Sequence, residues 1–144
     1  MQAEKILSRI AIVIATVLLI AAVYGAFAVY DYFFPVAEPV ICPIEDGVNT
    51  ITLAKSKSAA IMVDTACFAD LLQHISSTEP TRKWSVQDYP AVKDCYIIEV
   101  NTLDRMHRYF VYVENSQVYL ESPYEGVYKS NHQFLKFIQT LFQE

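Results

Sequence analysis

Tyr109-Phe110-Val111-Tyr112-Val113-Glu114-Asn115-Ser116-Gln117-Val118-Tyr119-Leu120-Glu121 leaves less choice of structure than any other stretch of the chain. Successive side chains of an extended strand point to opposite faces. On the first arm, Tyr109, Val111 and Val113 share one face, and Phe110, Tyr112 and Glu114 share the other. On the second, Val118 and Leu120 oppose Tyr119 and Glu121. Asn115-Ser116 separates the arms, and Asn tolerates the positive φ of a two-residue hairpin turn. The stretch predicts an antiparallel hairpin with one aliphatic face and one tyrosine-bearing face.

The same periodicity extends upstream. From Cys95 to Thr102, Tyr96, Ile98 and Val100 lie on one face, and Glu99 and Asn101 lie on the other beside Cys95 and Ile97. Asp46-Gly47 signals a turn, after which Val48, Ile51 and Leu53 begin a strand over residues 48–55. Ala59 to Val63 is short enough for a second strand. Asp64 or Thr65 can cap a helix by accepting from its free amides. Phe68 joins the helical stripe of Cys67, Leu71, Leu72 and Ile75, which runs to about Ser76. Thr78 to Pro90 is polar and reads as a loop. Downstream, Ser130 to Gln133 fits an S-x-x-Q capping box. Phe134, Phe137, Ile138, Leu141 and Phe142 then form the wide apolar stripe of a closing helix. The order β-β-α-β-β-β-α predicts an α+β domain over residues 48–144, a mainly antiparallel sheet with two packed helices.

The 144-residue chain is not one ordinary soluble globule. Ile10 to Tyr30 is 21 residues without Asp, Glu, Lys, Arg or His, and about 20 apolar residues cross a ~30 Å hydrocarbon core. Lys5 and Arg9 precede the run and Asp31 follows it. The positive-inside rule then places residues 1–9 in the cytoplasm as a tail, 10–30 in the membrane, and the rest outside. Tyr24, Phe27, Tyr30, Tyr32, Phe33 and Phe34 gather at the outer end, where aromatic rings favour the interface. A cleaved signal peptide competes, because Ala26-Phe27-Ala28 fits a small-x-small cleavage pattern. The apolar run continues beyond that site, which favours retention as a single-pass anchor, and the domain is extracytoplasmic on either reading. Cys42 lacks a lipobox context. Pro35, Pro39 and Pro43 punctuate residues 31–47, which read as a stiff stalk.

Charge excludes some functions. Beyond Tyr30 there are nine basic and fifteen acidic residues, whereas a nucleic-acid-binding domain needs a basic stripe. Gly25, Gly47 and Gly126 are the only glycines, so there is no phosphate-cradling loop. No cofactor is implied.

Two further stretches carry a resemblance. They are Ser85-Val86-Gln87-Asp88-Tyr89-Pro90 and Tyr119-Leu120-Glu121-Ser122-Pro123-Tyr124-Glu125-Gly126-Val127-Tyr128. With the apolar N-terminal run, they resemble a family of small uncharacterised membrane-anchored extracytoplasmic domains of Gram-positive bacteria. The resemblance implies a tethered outer-face domain and brings no catalytic residue with it. Physically, Pro123 must end, bulge or edge a strand, and Gly126 frees the backbone. Residues 119–128 therefore read as a strand, a sharp bend and an extended return. Tyr124 and Tyr128 either lock that bend or bind a partner.

Other chemistry has little support. Cys42, Cys67 and Cys95 form no CxxC, and their odd number leaves at least one unpaired in an oxidising compartment. They read as small buried residues, one disulfide, or in the last resort a nucleophile. His74, His107 and His132 lack metal-ligand spacing, so no metal site is expected. Asp64, Asp70, Asp88, Asp94, Glu99 and Glu121 offer carboxylates without a defined separation, although Glu99 and Glu121 fall on strands that can be neighbours.

What remains is an aromatic surface. With helices only on the Val111/Val118 face, Phe110, Tyr112 and Tyr119 are exposed beside Glu121, and an exposed patch rimmed by charge marks an interaction site. A second helix or a curled sheet over that face is the alternative. The expected function is a non-catalytic membrane-anchored binding domain. It would dock a protein or envelope partner through Phe110, Tyr112, Tyr119, Glu121, Tyr124 and Tyr128. An inhibitor or immunity-type protein is the alternative, and a small hydrolase follows it. With nine residues before the apolar run, any signal is expected to pass through a membrane partner.

Overall fold

A computed structural model describes residues 2–56 and 58–142. The chain divides into two compact units, Met1–Pro35 and Val36–Glu144.

The first unit is a single helix, α1 (Gln2–Phe33). Its span Ile6–Phe33 is long and apolar enough to cross a membrane, a property that an anchor and a signal sequence share. From Ile6 onward its side chains are exposed, unlike those of a buried core helix.

The second unit is α+β. Its strands are β1 (Val48–Lys55), β2 (Ile61–Met62), β3 (Glu79–Pro80), β4 (Tyr96–Thr102), β5 (Met106–Glu114), β6 (Gln117–Ser122) and β7 (Gly126–Ser130). They form one antiparallel sheet in the order β2-β1-β4-β5-β6-β7-β3. Two strands exceed the expectation. β7 is the extended return after the Pro123 bend, and β3 is a two-residue piece inside the segment read as a loop. Past β3 the pairing continues, with Thr81 donating to Val127 O and Val127 donating to Lys83 O.

The central hairpin has the expected register, with Val111 opposite Leu120 and Tyr112 opposite Tyr119. Asn115 and Ser116 both have positive φ, 50° and 64°, as the two-residue turn demands. α2 (Phe68–Ser76) follows a short 3-10 turn, Thr65–Cys67, whose Asp64 cap accepts from Ala66 N at 2.9 Å. α3 (His132–Leu141) is capped by Asn131, which accepts from Phe134 N at 2.9 Å. The expected box at Ser130 and Gln133 does not form, because Ser130 still belongs to β7 and pairs with Val118.

Both helices lie on the same face of the sheet. Phe68, Leu71, Leu72 and Ile75 of α2 and Phe134 and Ile138 of α3 pack with Ile51, Leu53, Ile98, Val100, Tyr109, Val111, Val118, Leu120 and Tyr128. Each such buried aliphatic or aromatic side chain stabilises by about 1.5–3 kcal/mol. His74 stacks on Phe134 with ring centroids 5.2 Å apart.

The segment expected to be a stalk needs correcting. From Val36 on it belongs to the folded unit. Ala37 is buried and its N–H donates to Thr81 O at 2.9 Å. The Tyr109 hydroxyl donates to Ile41 O, and the Cys42 thiol donates to Leu72 O at 3.5 Å. Gly126 makes the close approach possible, since a Cβ there would stand 2.8 Å from the Ala37 methyl.

Candidate functional site

The tyrosine-bearing face of the hairpin is not a surface. Phe110, Tyr112 and Glu121 are buried, and Tyr119 is half-buried. Neither a helix nor a curled sheet covers them. The cover is the segment between Lys83 and Cys95, which folds back over β5 and β6. Tyr89 sits 4.7 Å from the Phe110 ring, and Val92, Cys95 and Ile97 pack into the same cluster. Tyr128 is buried on the opposite, helix-bearing face. Four of the six expected binding residues are therefore buried, and of the six only Tyr124 is exposed.

The cover is fastened by a buried carboxylate. Glu121 on β6 accepts from the Ser85 hydroxyl at 2.7 Å and from the Tyr112 hydroxyl at 3.1 Å, one donor on each oxygen. Burial, then the adjacent Glu121 charge and hydrogen bond, push the Tyr112 phenol well above its usual range. At the segment's edge, the Lys83 ammonium pairs with Glu114 at 2.8 Å and lies 4.7 Å from the centre of the Tyr119 ring. The hydrogen bond to Glu114 holds the Lys83 pKa above its ordinary value.

A second fastening holds the β6–β7 bend. The N–H of Glu125 donates to Ser122 O at 3.1 Å. Tyr124, after Pro123, has φ of 62°. Proline second and a positive φ third is the type II pattern, which prefers Gly or Asn where Tyr124 stands. The Tyr124 hydroxyl donates to Asp88 at 2.7 Å, and that bond raises its pKa. The two stretches singled out in the sequence thus meet through Ser85–Glu121 and Asp88–Tyr124.

Together these fastenings present two aromatic rings to solvent. Trp84 is 53% exposed and Tyr124 62%. They share the lining of a cavity of about 300 Å³ with Tyr128, Ile41 and the carboxylate-bearing Glu38 and Glu125. Trp84 also borders a second cavity of about 410 Å³, lined by Lys83, Val86, Gln87, Val92 and Glu114 among others. Glu125 accepts from the Ser122 hydroxyl at 2.6 Å. Tyr128 is pushed above its ordinary pKa by burial, then by the charges of Glu125 and Glu38. Both charges are therefore felt at one phenol on the cavity wall.

Trp84 and the Glu38–Ile41 wall carried no signal in the sequence reading. The available hint was the place of the chain's single tryptophan immediately before Ser85.

The remaining residue sets do not converge. Cys42, Cys67 and Cys95 are free thiols, and burial pushes Cys42 up to about 11. Glu99 pairs with Arg108 at 2.8 Å, and β5 separates it from Glu121, so those two acids are not on neighbouring strands. His107 accepts from Arg105 Nε at 3.0 Å. Among the described residues no group of three or more His, Cys, Asp or Glu is placed to hold a metal ion.

Comparison with known proteins places this geometry in context. Residues 36–129 match the family model DUF5301, described as a domain of unknown function (DUF5300). The match begins where the folded unit begins. An NMR structure of the protein from Ruminococcus gnavus is similar at 30% identity with a TM-score of 0.55, over 62% of this chain and 89% of that one. No curated protein matches.

Proposed function

Because the chain belongs to the DUF5301 family, a domain of unknown function that brings no activity with it, we propose from its own surface that it is a membrane-tethered, extracytoplasmic, non-catalytic binding domain. Its recognition surface is the Trp84–Tyr124 cleft and not the sheet face. One observation carries the reading. Two large aromatic rings stand exposed, Trp84 next to the Ser85 hydroxyl that donates to Glu121, and Tyr124 tied by its own hydroxyl to Asp88. The backbone at Tyr124 takes up a conformation that costs about 1–2 kcal/mol outside glycine. Tryptophan and tyrosine dominate the centres of protein interfaces, so a fold that holds them out is read as serving a partner. The location rests on Lys5 and Arg9 before the apolar helix and Asp31 after it.

Site-specific photo-crosslinking of the full chain in its membrane tests this. A crosslinker replacing Trp84 is expected to capture a defined extracytoplasmic protein. The same group replacing Met62, exposed on β2 at the opposite edge of the sheet, is expected not to. Equal capture from both positions, or none from 84, would reject the surface. Protection of the C-terminal domain from protease added outside intact cells would reject the orientation.

A further inference from the structure

The cavity between Trp84 and Tyr124 has a chemistry of its own. Its exposed aromatic rings are Trp84 and Tyr124, with the buried Tyr128 behind them; its aliphatic wall is Ile41 and Pro39, and its charged groups are Glu38 and Glu125. No lysine, arginine or histidine lines it. Aromatic faces attract cations through the ring quadrupole. Two carboxylates beside them raise the negative potential and supply hydrogen-bond acceptors. A volume of about 300 Å³ lies at the bottom of the range for small-ligand sites, which suits one side chain better than a whole cofactor.

We propose that this cavity receives a basic side chain, an arginine above all, from the partner protein. The inference rests on the binding-domain reading and deepens it. Arginine fits on three counts. Its planar guanidinium stacks on an aromatic face, its N–H fork can satisfy both carboxylates, and it is weakly hydrated and so inexpensive to withdraw from water. A quaternary ammonium would use the rings but has no N–H to give Glu38 or Glu125. An anionic group would meet two like charges. The surplus of acidic over basic residues beyond Tyr30 steers the same kind of partner toward the domain.

The chain's single tryptophan makes the test direct. Full-length protein in mild detergent is titrated with N-acetyl-arginine amide, with its neutral isostere N-acetyl-citrulline amide, and with tetramethylammonium, while Trp84 fluorescence is read. The arginine probe is expected to give a saturable change and the citrulline probe none. Glu38→Gln with Glu125→Gln is expected to weaken the arginine response at least tenfold. Both residues stand outside the core, and the side-chain amide of Glu125→Gln can still accept from Ser122, so circular dichroism is expected to be unchanged. Equal responses to arginine and citrulline, no saturable response, or an arginine response indifferent to the double variant would overturn the proposal. A response to tetramethylammonium without one to arginine would also overturn it, in favour of a quaternary ammonium. If crosslinking from position 84 succeeds while the arginine probe fails, the cation is wrong and the binding surface stands. If both fail, the surface reading falls with it.

Discussion

Replacing Glu121 by Gln tests how the cover over the sheet is held. The substitution keeps the volume and removes the charge of a buried carboxylate that accepts from Ser85 at 2.7 Å and Tyr112 at 3.1 Å. A hydrogen bond to a charged group contributes about 1.5–3 kcal/mol, against about 0.5–1.5 for a neutral one. The amide keeps one acceptor oxygen, so one hydroxyl retains a neutral bond and the other must turn to accept from the amide. That amounts to about 1 kcal/mol or slightly more per hydroxyl, partly offset because no charge is buried any longer. The expected loss is about 2 kcal/mol. Ser85→Ala removes one charge-assisted bond, again about 2 kcal/mol. In the Glu121→Gln background the same serine contributes only a neutral bond of about 1 kcal/mol. The double variant is then expected to lose about 3 kcal/mol where simple addition gives about 4, a coupling of about 1 kcal/mol. Urea titration of the full chain in mild detergent measures it, with Trp84 fluorescence reporting the cover and far-ultraviolet circular dichroism reporting the sheet. In either single variant the fluorescence transition is expected to precede the dichroism transition. Losses that add to within about 0.3 kcal/mol, or coincident transitions, would refute the argument that Glu121 fastens the segment.

Further outcomes follow from single contacts. Gly126→Ala would bring a methyl to 2.8 Å from Ala37 and is expected to cost about 1–3 kcal/mol by overpacking; Ala37→Gly in the same chain should restore most of the urea midpoint. Tyr124→Gly relieves about 1–2 kcal/mol of turn strain and loses an exposed hydrogen bond, so its urea midpoint should match or exceed the parent's while partner capture falls. Cys42, half-buried and with its thiol raised to about 11 by burial, should react with a maleimide at neutral pH markedly more slowly in the native chain than in the urea-unfolded chain, as mass spectrometry of timed samples would show. His107 is held below its ordinary pKa by burial and then by Arg105. Its contribution to stability is therefore complete above the ordinary histidine value and lost as pH falls through the lowered one. Its imidazole resonances in NMR should titrate below pH 6.5.

The strands and helices were legible because their information is periodic. The alternation in Tyr109–Glu114 and Gln117–Glu121 gave both faces correctly, and the stripes at Phe68–Ile75 and Phe134–Phe142 gave both helices. Which face lies open was not legible. The cover is fastened by the Ser85 hydroxyl on Glu121 and by Asp88 under the Tyr124 hydroxyl, and residues such as Ser85 and Asp88 read as a solvated loop when partners 36 positions apart cannot be seen to meet. The prolines near Ala37 suggested a stalk for the same reason. Only the juxtaposition of Ala37 with Gly126, and of Ile41 with Tyr109, turns that segment into a wall. The helix cap moved by one residue because Ser130 is used by the β7 ladder, leaving Asn131 to the helix. Trp84 escaped notice because an isolated aromatic in a polar stretch has no period to mark it.

The sheet's two outermost strands, Ile61–Met62 and Glu79–Pro80, are only two residues long. An open strand edge is a template for another copy of the same chain. Here one boundary of the sheet ends in a proline that has no N–H to offer, and Val127 beside it already exchanges both its backbone groups with Thr81 and Lys83. That boundary therefore offers a second copy no row of free amides along which sheets polymerise.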